Sequence, residues 1–317
     1  MSRIVVLGAG AWGTALALQA HRAGSEVRLI RRRPWPDRRS PHLPGIVIPD
    51  AITLTESLRE AWDPVPDAVI VAVPMQHLRG ALGAIEPRAP LVLVAKGVET
   101  GTLRLPLEVL RAVHPAASAV VLGGPNFAHE IAAGLPAASV VAGPDPVLRA
   151  RLIGLLGGPT FRLYGNDDPL GVQLGGAAKN VIAIAAGAVT GAGLGENARA
   201  ALITRGLAEL GRLVTSLGGR VETVAGLSGL GDLLLTCTGG ASRNFRCGLA
   251  LGRGESLAST VDAAAGVIEG VATAPALVAR AAGLELPVCA AVASLLAGTT
   301  TLDQAIATLM ARPVRDE

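Results

Sequence analysis

The stretch LGGAAKNVIAIAAG, residues 174–187, sets one cation and one amide, Lys179 and Asn180, inside an otherwise apolar helical run. A buried ammonium without partners is costly or loses its proton. Ala177, Ala178 and Val181 crowd this lysine, which points its head group into an internal cleft; the alternative is a core helix whose lysine reaches the surface. A second lysine, Lys96, stands with Gly97 at the end of an apolar run, where a cation could hold a phosphate or a developing oxyanion. Asp232 and Thr236 are spaced i, i+4 and share one helical face. Asp232 could also be an ordinary helix N-cap after Gly229-Leu230-Gly231. Ser242 reads as an N-cap with Arg243 and Asn244 in the first turn, and donors plus an arginine at a helix start make an anion site. The plainer reading of those three is a capped surface helix.

The chain opens IVVLGAGAWGTALALQAHRAGSEVRLI. An apolar strand meets G-x-G-x-x-G at Gly8, Gly10 and Gly13; a helix follows to a C-cap at Gly24, and a second strand covers 26–30. In that context the glycines give a tight turn, backbone access to a pyrophosphate and close helix–strand packing. An NAD-selective site carries an acid at the end of the second strand. Here that position is Arg31-Arg32-Arg33 with no acid, and guanidinium forks suit a 2′-phosphate. NADP(H) is therefore favoured, with NAD(H) as the alternative; a solvated turn is the structural alternative.

The elements that must position these groups form an α/β chain. Strands are expected at 3–7, 26–30, 68–73, 91–95, 119–122, 139–142 and 160–164, alternating with helices in a parallel, doubly wound pattern. Residues 34–49 are Pro-rich and read as a loop. After Tyr164 the β signal stops and the remainder is helical, which divides the chain into 1–164 and 165–317. At 317 residues, half apolar and 17% charged, this is an ordered globular chain. A net charge of +3 without a basic block, and with few aromatics, argues against nucleic acid. Cys237, Cys247 and Cys289 lack C-x-x-C spacing or a nearby histidine, so they read as reduced thiols in a cytosolic protein, with no zinc or other metal site. The apolar run 181–194 is below spanning length, so it reads as a core helix without a membrane span. Its Gly187, Gly191 and Gly195 spacing reads as close helix packing, and Gly/Ala-rich helices that could pack against a copy suggest a homodimer.

Eight motifs in order, GAGAWGTALA, LPGI, AVPMQHLR, AKGVE, GGPNFAHE, LGGAAKNVIAIAAG, GLSGLGDLLLTCTGGASRNFRCG and VIEGV, resemble those of bacterial NAD(P)-dependent glycerol-3-phosphate dehydrogenases over nearly the whole chain. The resemblance implies an N-terminal Rossmann-type doubly wound sheet followed by an all-helical C-terminal domain. It implies reversible reduction of dihydroxyacetone phosphate to sn-glycerol 3-phosphate in the cytoplasm, for glycerophospholipid synthesis. Lys179 would be the acid–base residue, with Lys96 and Asp232 beside it at the reacting centre. The substrate would be held by Lys96, Gly124, Asn126, Asn180, Asp232, Thr236, Ser242, Arg243 and Asn244. The dinucleotide would touch Gly8, Gly10, Ala11, Trp12, Gly13, Arg31, Arg32, Lys96, Ala128, Arg243, Val267 and Glu269. Three features depart from the family pattern: Asn126 in place of Ser or Thr, the turn NDDPLG, and a shorter, more basic loop before LPGI. The rivals are a dehydrogenase of similar layout acting on a β-keto or hydroxy acid, and a catalytically silent NADP(H) sensor, against which the intact Lys96, Lys179, Asp232 and Arg243 set argues.

Overall fold

The computed structural model of the chain describes residues 2–35, 37–264 and 266–313; the outermost ends of the expected 1–164 and 165–317 division lie outside them. Eight strands form one sheet in the order β3-β2-β1-β4-β5-β6-β7-β8. They are β1 (Arg3–Leu7), β2 (Glu26–Ile30), β3 (Ile52–Thr55), β4 (Ala68–Val71), β5 (Leu91–Leu93), β6 (Ala119–Gly123), β7 (Ala137–Ala142) and β8 (Phe161–Asn166). The central strands read as continuous apolar runs, AVIV in β4 and LVL in β5, because helices cover both faces. Those helices are α1 (Ala11–Arg22), α2 (Leu58–Ala61), α3 (Leu78–Gly83), α4 (Pro106–Val113), α5 (Ala128–Ala133) and α6 (Pro146–Leu156). The first six strands follow the doubly wound order that binds dinucleotides where strand order reverses, beside β1 and β4.

Three departures from the sequence expectation concern this sheet. Strand β3 was not expected: its ITLT segment is short, lies on the sheet edge and follows the Pro-rich loop, so no long apolar run marks it. The sheet is also not wholly parallel, since β7 runs antiparallel to β6, pairing Val121 with Ala142 and Gly123 with Val140. The connection between them holds only the six-residue α5, which rises about 9 Å. That is too short to return the chain to the far edge, so β7 starts where β6 ends. Strands β4 and β5 stop two residues earlier than expected, which frees 72–73 and 94–95 to shape the rim of the sheet.

The second half is helical: α7 (Pro169–Gly191), α8 (Gly195–Ser216), α9 (Val221–Ala225), α10 (Asp232–Thr238), α11 (Arg243–Gly252), α12 (Leu257–Asp262), α13 (Glu269–Arg280), α14 (Pro287–Leu296) and α15 (Leu302–Met310). Asp168 caps α7 by accepting from Gly171 N–H at 2.9 Å, with Pro169 pre-set for the first turn. The 23 residues of α7 are apolar enough to cross a membrane by length and composition, yet its most apolar window is wholly buried within the fold. Glycines let α11 lie directly on it: a Cβ on Gly187 would sit 2.1 Å from Phe245 O, and one on Gly248 would sit 1.9 Å from Ile184 O. Gly191 shares this contact, with a Cβ 2.2 Å from Leu249 O, but Gly195 does not; it opens α8 at φ +87° with free space around it. The packing reading therefore holds for the first two glycines of that spacing and fails for the third.

Candidate active site

At the β1–α1 turn, Gly8 has φ +109° and a Cβ there would lie 2.5 Å from Ala72 O, so only glycine fits. A Cβ on Gly13 would collide with Gly8 O at 1.9 Å, whereas one on Gly10 would meet nothing. The turn is thus closed on its sheet side and open at Gly10. The N-terminus of α1, at Ala11 and Trp12, has no side-chain cap and no acid in its first turn, which leaves its N–H groups for an anion. Trp12 Nε1 is buried with no hydrogen-bond partner among the described residues. A pyrophosphate-bearing cofactor fits this cradle.

Further residues expected at the cofactor lie on other elements. Glu269, at the start of α13, accepts the Met75 N–H at 3.1 Å on one carboxylate oxygen, while the other is buried without a partner among the described residues. Burial raises its pKa, and Met75 and Arg243 pull the other way. Val267 is exposed beside it, and Ala128 opens α5, which has no side-chain cap. Arg31 leaves the end of β2, and Arg32 after it is exposed.

Lys96, Lys179 and Asp232 converge although they come from the turn after β5, from α7 and from α10. The Asp232 carboxylate, 0% exposed, accepts Lys96 Nζ on Oδ2 and Lys179 Nζ on Oδ1, both at 2.6 Å. Asp232 is not the N-cap that its sequence position allowed. It follows a π-helical turn, Leu227–Gly231, as the first residue of α10, with Gly231 in the cap position. Thr236 Oγ1 accepts from Lys179 at 3.1 Å and donates to Asp232 O at 2.6 Å. Lys96 Nζ also donates to Gly124 O at 3.0 Å. An ammonium has three N–H donors; among the described residues each lysine meets two acceptors, leaving one N–H apiece. Burial draws the Lys179 pKa down to about 8, with the Asp232 charge opposing and the Lys96 charge assisting that fall. It stays mostly cationic at neutral pH.

A chain of amides backs this centre. Asn180 Nδ2 lies 3.3 Å from Lys96 O, Asn244 Nδ2 donates to Asn180 Oδ1 at 2.9 Å, and Gly270 N–H donates to Asn244 Oδ1 at 2.9 Å. Asn180 and Asn244 thus carry their hydrogen bonds within the protein. Asn126 likewise turns inward: its Nδ2 donates to Gly124 O at 3.1 Å and lies 2.7 Å from Ser139 Oγ. Ser242 caps α11 through Phe245 N–H at 3.1 Å. Arg243, the first residue of α11, reaches the loop before α13, where a Cβ on Gly266 would lie 2.6 Å from its Nη1. Desolvation lowers the Arg243 pKa and the Glu269 charge raises it. Hydrogen bonds join Lys96, Gly124, Lys179, Asn180, Asp232, Thr236 and Asn244 in one cluster, and Asn126 reaches both Gly124 O and Ser139 of β7. Ser139 and the buried Thr273 hydroxyl, packed against Gly97, were not foreseen; Thr273 falls i+4 from Glu269 on α13, a spacing that could have marked it.

The family description NAD-dependent glycerol-3-phosphate dehydrogenase N-terminus matches residues 3–148, and the C-terminus description of the same enzyme matches residues 168–307. The chain belongs to the NAD-dependent glycerol-3-phosphate dehydrogenase family. It is 51% identical to the glycerol-3-phosphate dehydrogenase [NAD(P)+] of Bradyrhizobium sp. (strain BTAi1) over 99% of this chain and 98% of that one. It is 53% identical to the enzyme of the same name from Acidiphilium cryptum, over 98% and 97%. The crystal structure of the Coxiella burnetii glycerol-3-phosphate dehydrogenase superposes with a TM-score of 0.93 at 37% identity, covering 98% of this chain and 99% of that chain. A ketopantoate reductase structure from Ralstonia eutropha, at 17% identity and a TM-score of 0.59, shares the fold alone.

Proposed function

We propose that this chain reduces dihydroxyacetone phosphate to sn-glycerol 3-phosphate, reversibly, with NAD(P)H. The observation that carries the reading is the pair of lysines on one buried carboxylate, each with an unused N–H. A reduced nicotinamide held at the glycine turn would supply the hydride to the substrate carbonyl carbon. The free N–H of Lys179 then meets the carbonyl oxygen and transfers its proton there as charge develops, a contribution of about 10²–10⁴-fold. Lys96 adds a fixed positive charge beside the same oxygen. Asp232 holds both lysines in place and keeps Lys179 charged before transfer. In the reverse direction, neutral Lys179 removes the hydroxyl proton.

The substrate phosphate lies at the N-terminus of α11, held by Arg243, the Ser242 hydroxyl and the first N–H groups of the helix. Asn180 and Asn244 fix the Lys96 backbone and the α13 start rather than reaching the substrate, and Asn126 fixes Gly124. The glycine turn, Ala11, Trp12, Ala128, Val267 and Glu269 hold the dinucleotide, and Arg31 with Arg32 favours NADPH over NADH. The division between cofactor and substrate parts falls between β8 and α7. The reaction belongs in the cytoplasm, feeding glycerophospholipid synthesis, and a homodimer is the assembly we expect. Arg243→Ala tests the phosphate site: KM for dihydroxyacetone phosphate should rise at least about tenfold, the scale of a lost charge-assisted hydrogen bond. Steady-state kinetics with KM unchanged would move the phosphate elsewhere.

A further inference from the structure

Three neighbouring parallel strands end in register at the cofactor edge of the sheet. Leu7 pairs with Ile30, and Ile30 pairs with Thr55. The residues that follow, Gly8, Arg31 and Glu56, therefore stand side by side. The ladder runs one step past the strands, with Gly8 N–H donating to Ile30 O at 3.3 Å and Arg31 N–H to Thr55 O at 3.0 Å. Strand spacing of about 4.8 Å puts the Glu56 backbone roughly 10 Å from the glycine turn, on the side where the adenosine ribose lies in doubly wound sheets.

The Arg31 guanidinium is held but under-used. It lies 5.9 Å from the Trp35 ring centroid. Its Nη2 is 3.7 Å from Glu56 Oε1, an ion pair beyond hydrogen-bond reach. Its Nε and Nη1 are buried without an acceptor among the described residues. Such a guanidinium lacks an anion with several oxygens. The Glu56 side chain beside it is 47% exposed, so its carboxylate is open to a ligand. The acid that dehydrogenases selective for NAD carry at the end of the second strand is absent here, but the third strand brings one to the same place.

We propose that Glu56 sets the balance between NADH and NADPH. Its carboxylate offsets the Arg31 charge and repels a 2′-phosphate, and it offers an acceptor to an unphosphorylated ribose 2′-hydroxyl. Both cofactors are thereby admitted. This rests on the cofactor reading above and adds a selectivity residue to it.

The test is calorimetric titration of NADPH and NADH into the full chain and its Glu56→Gln variant at low ionic strength. Glutamine keeps the shape of a half-exposed side chain, so the fold should be retained, which thermal melting checks. Removing one charge near a dianion should tighten NADPH about fivefold, with NADH unchanged or weaker, and added salt should shrink the gain. Arg31→Gln should weaken NADPH at least about tenfold and NADH far less. Equal shifts for both cofactors, or shifts under about twofold for each, would overturn the role of Glu56 while leaving cofactor binding intact. An Arg31→Gln protein that binds NADPH as wild type does would overturn it as well. Wild-type chain that binds neither cofactor would overturn the cofactor reading together with this proposal.

Discussion

Burial draws Lys179 down to about 8, and the Asp232 charge keeps it from falling further. The pH dependence follows from the sign of that balance. Reduction uses the protonated amine, so kcat/KM for dihydroxyacetone phosphate should be level below about 8 and fall above it. Oxidation of glycerol 3-phosphate uses the neutral amine and should rise through the same range. Asp232→Asn removes the group that favours the charge, so the descending limb for reduction should move to lower pH. Initial-rate profiles of wild type and variant compare the two; an unmoved limb would separate Asp232 from the titration. At this scale the residue types were visible in the sequence, while their partnership came from the family resemblance and not from spacing. Lys179 in an apolar helix and Asp232 four residues from Thr236 were visible, but Lys96 and Asp232 are 136 positions apart. No spacing rule joins them.

At the scale of elements, the α7–α11 contact decides where Asn180 and Asn244 meet. Gly248→Ala would put a methyl group 1.9 Å from Ile184 O, and the helices must separate to admit it. Overpacking of this kind costs about 1–3 kcal/mol, expected as a fall in Tm of several degrees. Because the same shift parts Asn244 from Asn180, activity should fall further than cofactor affinity. Thermal melts and cofactor titration of the variant measure both; a Tm equal to wild type would show that the helices yield freely. The glycine turn was legible by its G-x-G-x-x-G spacing, α1 and α7 as long apolar helical runs, and the central strands as continuous apolar runs. Strand β3 was not, because a four-residue edge strand leaves a weak pattern. With it went Glu56, whose position is set by pairing with β2. The direction of β7 was hidden for a related reason: strand direction depends on the length of the preceding helix, which composition does not fix.

Over the whole molecule, the sheet edge and the helical part build one site between them. Lys96 comes from the turn after β5, Lys179 and Asp232 come from helices, and Glu269 of α13 binds the Met75 backbone next to the sheet. The sequence resemblance named the residues, and the fold shows that Asn126 and Asn244 hydrogen-bond inside the protein. The central claim is that Lys179 delivers the proton to a phosphorylated ketone. The measurement that addresses it most directly is NADPH oxidation on adding dihydroxyacetone phosphate, for wild type and Lys179→Ala, with NADPH affinity determined alongside. Wild type should turn over, and the variant should lose about 10²–10⁴-fold in kcat while binding NADPH within about twofold of wild type. A variant within about threefold of wild-type kcat, or a wild type that ignores this substrate but reduces a β-keto acid, would contradict it.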